Sequence, residues 1–298
     1  MPRWALTCFA WAMAEPTILF HLSDIHFGLV DEVALDWVGS EIASRRPDAV
    51  AITGDLTMRA RHREFRAACD WISSLDAPVT VEVGNHDMPY FNLVERFSDP
   101  YRRFRSIEAL LEREIDLPGL AIVSLKTATR AQWRFPWSNG WVTDDALART
   151  LAAIDAVSPG TRVLVTAHHP LQEVEEKSGK RLTINGTRAQ EELARRGVLA
   201  VCTGHIHDPF DIMRETAAGP LRMIGAGTLS QRIRSTPPSF NELHWDGAEL
   251  TVRVRNLEEI PSRAMMIDSV PDNALPPRTP GEPVAPVGHV PQVDPPVH

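Results

Sequence analysis

Short runs of consecutive apolar residues alternate along this chain with stretches whose apolar positions recur every three to four residues. Thr17-Ile-Leu-Phe-His-Leu-Ser23 is the first run and reads as a buried strand. Asp31 to Arg46 places Val33, Leu35, Trp37, Val38 and Ile42 along a helical face, and Pro47 closes it. Ala49–Thr53 reads as a second strand. His62–Leu75 reads as a second helix, with Phe65, Ala68, Cys69 and Ile72 on one side, and Val79–Val83 as a third strand. This β-α-β-α-β order predicts a parallel sheet with right-handed crossovers. Phe91–Leu117, rich in Arg and Glu, reads as one or two helices, and Leu120–Leu125 as a strand. Thr143 caps a helix running to about Val157, stopped by Pro159-Gly160. Strand Arg162–Ala167, helix Thr187–Arg196 and strand Val198–Thr203 follow. From Leu221 only strands are expected: Leu221–Gly225, Phe240–Trp245 and Leu250–Arg255, the last two joined by an Asp246-Gly247 turn.

The pattern fades at both ends. Residues 261–298 hold ten of the chain's 24 prolines and no aromatic residue, and read as a disordered tail. Residues 1–13 carry Arg3, a short apolar stretch and the beginning of Ala12-Met13-Ala14. They read as an N-terminal extension, with translation starting at Met13, and the expected location is the cytoplasm; a signal peptide with export is the alternative. The folded body is thus expected over residues 14–260.

Composition narrows the function classes. A net charge of −8 argues against a nucleic-acid coat or a polybasic membrane binder. Three cysteines make no disulfide framework and lack zinc-site spacing. No apolar run reaches the ~18–20 residues of a membrane span.

The chemistry lies just beyond the strands. Their ends read Ser23-Asp24-Ile25-His26, Thr53-Gly54-Asp55, Gly84-Asn85-His86-Asp87, Ala167-His168-His169-Pro170 and Gly204-His205-Ile206-His207. Ligands of α/β sheets bind at the carboxyl ends of strands, so these residues are expected on one rim. Singly each string is weak; all five in order are not an accident. Imidazoles, carboxylates and an amide oxygen suit Zn, Mn or Fe. Seven ligands exceed one tetrahedral ion, so two transition-metal ions are expected, divalent or trivalent, bridged by a carboxylate and activating a water.

These strings resemble the calcineurin-like metallophosphoesterase superfamily, from about Thr17 to Asn256. The resemblance implies an α/β fold, a four-layer α-β-β-α sandwich of two mixed sheets flanked by helices. It implies that Asp24, His26, Asp55 and His207 hold one metal and that Asp55, Asn85, His168 and His205 hold the other, with Asp55 bridging. His86 would contact the phosphoryl group, stabilising its charge or protonating the leaving oxygen, and Asp87 would support the loop. Met58 and Asp87 depart from the Ser/Thr protein phosphatase pattern, and His86 stands where lipid A precursor hydrolases carry Arg. What remains is similar to the bacterial class III cyclic-nucleotide phosphodiesterases, with Leu171 departing from His-His-Pro-Pro. The implied reaction is attack of a metal-bridging hydroxide on a small phosphodiester, a 3′,5′-cyclic nucleotide first. A glycerophosphodiester or a phosphomonoester is the alternative, and a nuclease or a ligand-losing scaffold is the rival. A homo-oligomer is left open.

Other residues are weighed against plainer roles. His169, Asn92 and Arg96 are candidate substrate contacts. Trp133, Trp137 and Trp141 could stack a base or cover a core edge. Arg102, Arg103 and Arg105 could greet an anion or form a solvated helix face. His21 reads as a core residue, and Gly225-Ala-Gly227-Thr228 as a turn near the site.

Overall fold

The computed structural model describes residues 15–89, 92–111, 115–129, 138–172 and 183–258. The expected extension 1–13 and tail 261–298, and with them Trp133 and Trp137, lie outside the described residues. The elements run β1 (Thr17–Leu22), α1 (Glu32–Arg45), β2 (Ala49–Ile52), α2 (His62–Ser74), β3 (Val79–Val81), α3 (Leu93–Ser98), α4 (Arg105–Glu108) and β4 (Leu120–Ser124). They continue as α5 (Asp144–Asp155), β5 (Arg162–Thr166), α6 (Gly186–Arg195), β6 (Ala200–Thr203), β7 (Phe210–Thr216), β8 (Gly219–Gly225), β9 (Ser239–Trp245) and β10 (Leu250–Asn256).

The strands form two mixed five-stranded sheets, β10-β9-β1-β2-β3 and β4-β5-β6-β8-β7. In the first, β1, β2 and β3 are parallel while β9 and β10 return antiparallel. In the second, β4, β5, β6 and β8 are parallel and β7 is antiparallel at the edge. The layering follows from strand periodicity, since alternate residues face opposite ways. Leu19, Ala49, Ala51 and Leu243 of one sheet pack against Leu164, Ala200, Cys202 and Ile224 of the other. Three of these eight are alanines, which lets the sheets approach closely. Phe20, Leu22, Val50 and Ile52 point the other way, under Leu35, Val38 and Ile42 of α1 and Phe65 and Ile72 of α2. Val163, Val165, Val201 and Met223 lie under Leu147 and Ile154 of α5 and Leu193 of α6. Buried apolar side chains of this kind each contribute about 1.5–3 kcal/mol relative to exposure.

The caps match the sequence. Asp31 accepts from Val33 N and Ala34 N, and Thr143 from Ala146 N. One element differs from expectation, and one span is resolved further. Within Phe91–Leu117, read as one or two helices, the described residues hold two short ones, α3 and α4, because Pro100 disfavours helical backbone at Asp99, which takes φ −150°. Strand β7 was not expected from the sequence. It is an edge strand whose residues alternate half-buried and exposed, so its apolar signal is faint.

Candidate metal centre

Five strands, three from the first sheet and two from the second, end at the same rim. Asp24 and His26 follow β1, Asp55 follows β2, and Asn85 and His86 follow β3; His168 follows β5, and His205 and His207 follow β6. All but His86 and His205 are buried. Their backbone is forced to fit: φ is positive at Asp24 (53°), His26 (52°), Asp55 (52°), His205 (69°) and His207 (71°), five of the eight non-glycine residues so placed among those described. Left-handed backbone is costly for residues with a Cβ and persists where the surroundings over-determine it. Two glycines of the motifs answer to close approach. A Cβ on Gly84 would collide with Asp55, and one on Gly204 with Ser23 and Asp24.

Hydrogen bonding fixes the tautomers of the first group. His26 Nδ1 faces the Thr57 carbonyl (3.4 Å) and His207 Nδ1 the Arg232 carbonyl (2.8 Å). A carbonyl only accepts, so each Nδ1 carries the proton and donates it, leaving lone pairs on Nε2. The two Nε2 atoms are 3.4 Å apart and lie 3.7 and 3.1 Å from Asp24 Oδ1. That oxygen is buried and accepts no hydrogen bond, whereas Oδ2 accepts from Ser23 Oγ (2.7 Å) and His205 N (2.8 Å). Three electron-pair donors thus converge on one point.

The second group is built alike. His168 Nδ1 donates to the Thr53 carbonyl (2.7 Å), and Nε2 meets Asn85 Oδ1 at 3.1 Å and Asp55 Oδ1 at 3.4 Å. The His205 ring lies beside His168, centroids 5.2 Å apart. Asp55 joins the groups: its Oδ2 lies 3.8 Å from His26 Nε2, and its Oδ1 faces His168 while accepting from His86 N (2.8 Å). Asp24, His26 and His207, and Asp24, Asp55 and His168, each bring ligand atoms within 4.8 Å of one another. Nitrogen and carboxylate donors with ring protons anchored behind them fit a pair of Zn, Mn or Fe ions.

The electrostatics agree. Burial opposes charge on both carboxyls, yet the imidazoles of His207 at Asp24 and His168 at Asp55 hold both below the usual range. Burial holds His26 down at about 4, despite Asp55 and Asp24 nearby. Burial also disfavours charge on His168, but Asp55 and Asp24 outweigh it and raise the group to about 9. Without a cation, a proton on His168 therefore takes the position between it, Asn85 and Asp55.

The supporting residues fall as the sequence suggests. Asp87 accepts from Leu56 N, Thr57 N and Gly84 N at 3.2, 2.8 and 2.9 Å, tying two strand-end loops together. Burial and the neighbouring Asp55 push its carboxyl up to about 6. Thr228 Oγ1 donates to the Asp24 carbonyl (2.7 Å), so the glycine turn after β8 does lie at the site. His21 is buried between the sheets, with Nε2 donating to Thr53 Oγ1 and Nδ1 accepting from Asn241 Nδ2. His86, half-exposed, donates from Nδ1 to the Met58 carbonyl (2.8 Å).

The three candidate substrate contacts each have protein partners. His169 is buried and spends both nitrogens, Nε2 donating to the Ser138 carbonyl and Nδ1 accepting from Thr127 Oγ1, each at 3.0 Å. Its ring lies against those of His168 and His205, the ligand-type atoms of the three within 4.8 Å of one another, and its hydrogen bonds tie it to Thr127 and Ser138. Asn92 is exposed and caps α3 by accepting from Glu95 N. Arg96 is 2% exposed and donates to the Pro89 carbonyl. Of the arginine cluster, Arg103 pairs with Glu95 and Arg105 with Asp99. Trp141 is half-buried, and its backbone bonds to Thr127.

One residue escaped the sequence reading. Arg232, in the loop after β8, donates from Nη1 to His86 Nε2 (3.2 Å) and approaches His26 Nε2 at 3.4 Å. The available signal was that β8 is parallel to β6, so its carboxyl end opens on the same rim.

A family profile described as Calcineurin-like phosphoesterase matches residues 18–209. The chain is 27% identical over 167 residues to a protein of Arcobacter nitrofigilis named "Probable glycerophosphodiester phosphodiesterase", covering 54% of this chain and 57% of that one. It is 29% identical over 172 residues to a glycerophosphodiester phosphodiesterase of Enterobacter lignolyticus, covering 51% and 56%. A Pseudoalteromonas protein named "Probable cyclic nucleotide phosphodiesterase" is 27% identical over 175 residues, covering 57% and 60%. The chain thus spans somewhat over half the length of these relatives. In fold it is similar to a dimetal phosphatase of Danio rerio, with a TM-score of 0.58, 14% identity, and coverage of 81% of this chain and 97% of that one. It is also similar to a purple acid phosphatase of yellow lupin, with a TM-score of 0.55, 13% identity, and coverage of 81% and 51%. Among the described residues no helix is long and apolar enough to cross a membrane.

Proposed function

The chain belongs to the calcineurin-like phosphoesterase family, and from that premise we propose that it is a binuclear metal-dependent hydrolase of small phosphodiesters. The observation that carries this reading is Asp55, which turns one carboxylate oxygen toward His26 and the other toward His168. On this reading Asp24, His26, Asp55 and His207 hold one ion, and Asp55, Asn85, His168 and His205 the other. Bound there, two cations supply an acidified water and positive charge for the phosphate oxygens.

The chain's own groups do the rest. Thr57, Arg232 and Thr53 accept the Nδ1 protons of His26, His207 and His168 through their carbonyls and so hold each Nε2 ready. Ser23 Oγ and His205 N engage Asp24 Oδ2 and keep Oδ1 free. Asp87 holds the Gly84 loop against Leu56 and Thr57, which keeps His86 at the mouth. His86, its Nδ1 proton held by the Met58 carbonyl, presents Nε2 at the mouth, where the ring, once protonated there, would give that proton to the leaving oxygen.

A 3′,5′-cyclic nucleotide is the first substrate, as the compact motif set suggests. The names of two relatives favour a glycerophosphodiester as the second. The test is a metal-reconstituted assay against bis(p-nitrophenyl) phosphate, 3′,5′- and 2′,3′-cyclic nucleotides and glycerophosphodiesters. Turnover of a diester that depends on added metal is expected; no turnover of any of them with two ions bound would overturn the reading. Asp55→Ala is expected to lower bound metal below one ion per chain and reduce turnover by ~10³-fold or more; metal analysis by plasma emission checks it.

A further inference from the structure

Arg232 stands at the mouth of the site with an N–H group that metal loading must release. Its loop is tightly held: Ser230 Oγ accepts from Arg232 N (3.3 Å), Leu29 O accepts from Gln231 N (3.0 Å), and Thr228 Oγ1 bonds both Ser230 and the Asp24 carbonyl. The backbone from which the guanidinium projects is therefore held in place. Nη1 lies 3.4 Å from His26 Nε2 and 3.2 Å from His86 Nε2. The lone pair of His26 Nε2 cannot serve both a cation and an arginine N–H, and a cation repels the guanidinium besides. Loading the site thus frees a charged donor beside His86, where an anion enters.

We propose that Arg232 is a substrate-binding residue that donates to a non-bridging oxygen of the phosphate ester beside His86. The assignment rests on the phosphodiesterase reading for its substrate, though its ligand chemistry is any phosphate anion. A guanidinium suits this role because its planar fork meets two oxygens at once and stays charged at any working pH. In a chain of net charge −8, it adds fixed positive charge to the site independent of the metals.

The test uses manganese-loaded wild type, Arg232→Ala and Arg232→Gln, with inorganic phosphate titrated by calorimetry and bis(p-nitrophenyl) phosphate as substrate. Both variants are expected to keep two ions per chain while phosphate binds about tenfold or more weakly, with a matching rise in KM. The glutamine variant, which keeps an N–H donor but no charge, carries the same expectation if the alanine variant fails to fold. Phosphate affinity within twofold of wild type overturns the proposal. So does a loss that comes only with loss of metal, since Arg232 would then merely support His207. Arg232-dependent phosphate binding by a protein that cleaves no diester upholds the proposal and sinks the phosphodiesterase reading instead.

Discussion

At His86 one ring nitrogen donates to the Met58 carbonyl and the other faces Arg232, so the residue sits beside the ligand atoms without joining them. His86→Ala is therefore expected to retain both metals and lose ~10²–10⁴-fold in kcat; metal analysis beside steady-state kinetics checks it, and loss of metal would make His86 a ligand. His168 behaves oppositely. Asp55 and Asp24 overcome its burial and raise it to about 9, so near neutral pH the empty site carries a proton that a cation must displace. Metal affinity is expected to rise about tenfold per pH unit from pH 6 to 8, measured by competition with a chromogenic chelator. The residues of the cluster were legible because strand ends expose them one string at a time. What the sequence did not show is that His169 lies against His168 and His205 while both its ring nitrogens bond to Thr127 and Ser138, residues 42 and 31 positions away.

Each strand places its site residue through packing a few residues earlier in the chain. Ala49 and Ala51 on β2 and Ala200 on β6 let the sheets meet closely. Asp55 follows β2 by three residues, so the sheet spacing sets where it points. Ala51→Leu adds three heavy atoms to that interface and is expected to cost about 1–3 kcal/mol or more, read from the urea midpoint. Strong periodicity made α1, α2, α5 and the inner strands legible. It failed at β7, an edge strand with one half-buried face, and between 91 and 117 it left one helix or two open, a choice Pro100 makes by dividing the chain.

Across the whole molecule, several histidines are buried in two roles. His26 and His168 carry ligand atoms, while His21 is a neutral rivet between sheets, pushed down to about 3 by burial although Asp24 opposes. Between about pH 3 and 6.5 the unfolded chain binds a proton at this position that the folded chain refuses. Its stabilisation is therefore full above pH 6.5 and lost as pH falls. The stability advantage of wild type over His21→Gln is expected to shrink by about 1.4 kcal/mol per pH unit from pH 6 to 4, followed by urea denaturation at each pH. The amino-acid sequence by itself determined the βα alternation, the cap at Thr143 and the residue types at the strand ends, because strand and helix periods and strand-end motifs are local properties. Only the tertiary structure decided that two sheets bring their carboxyl ends to one rim, that Asp55 faces both groups, that His169 bonds to Thr127 and Ser138, and that Arg232 reaches His86 across 146 positions. Those outcomes depend on sheet packing and carbonyl placement between residues far apart in the chain, which no local pattern records.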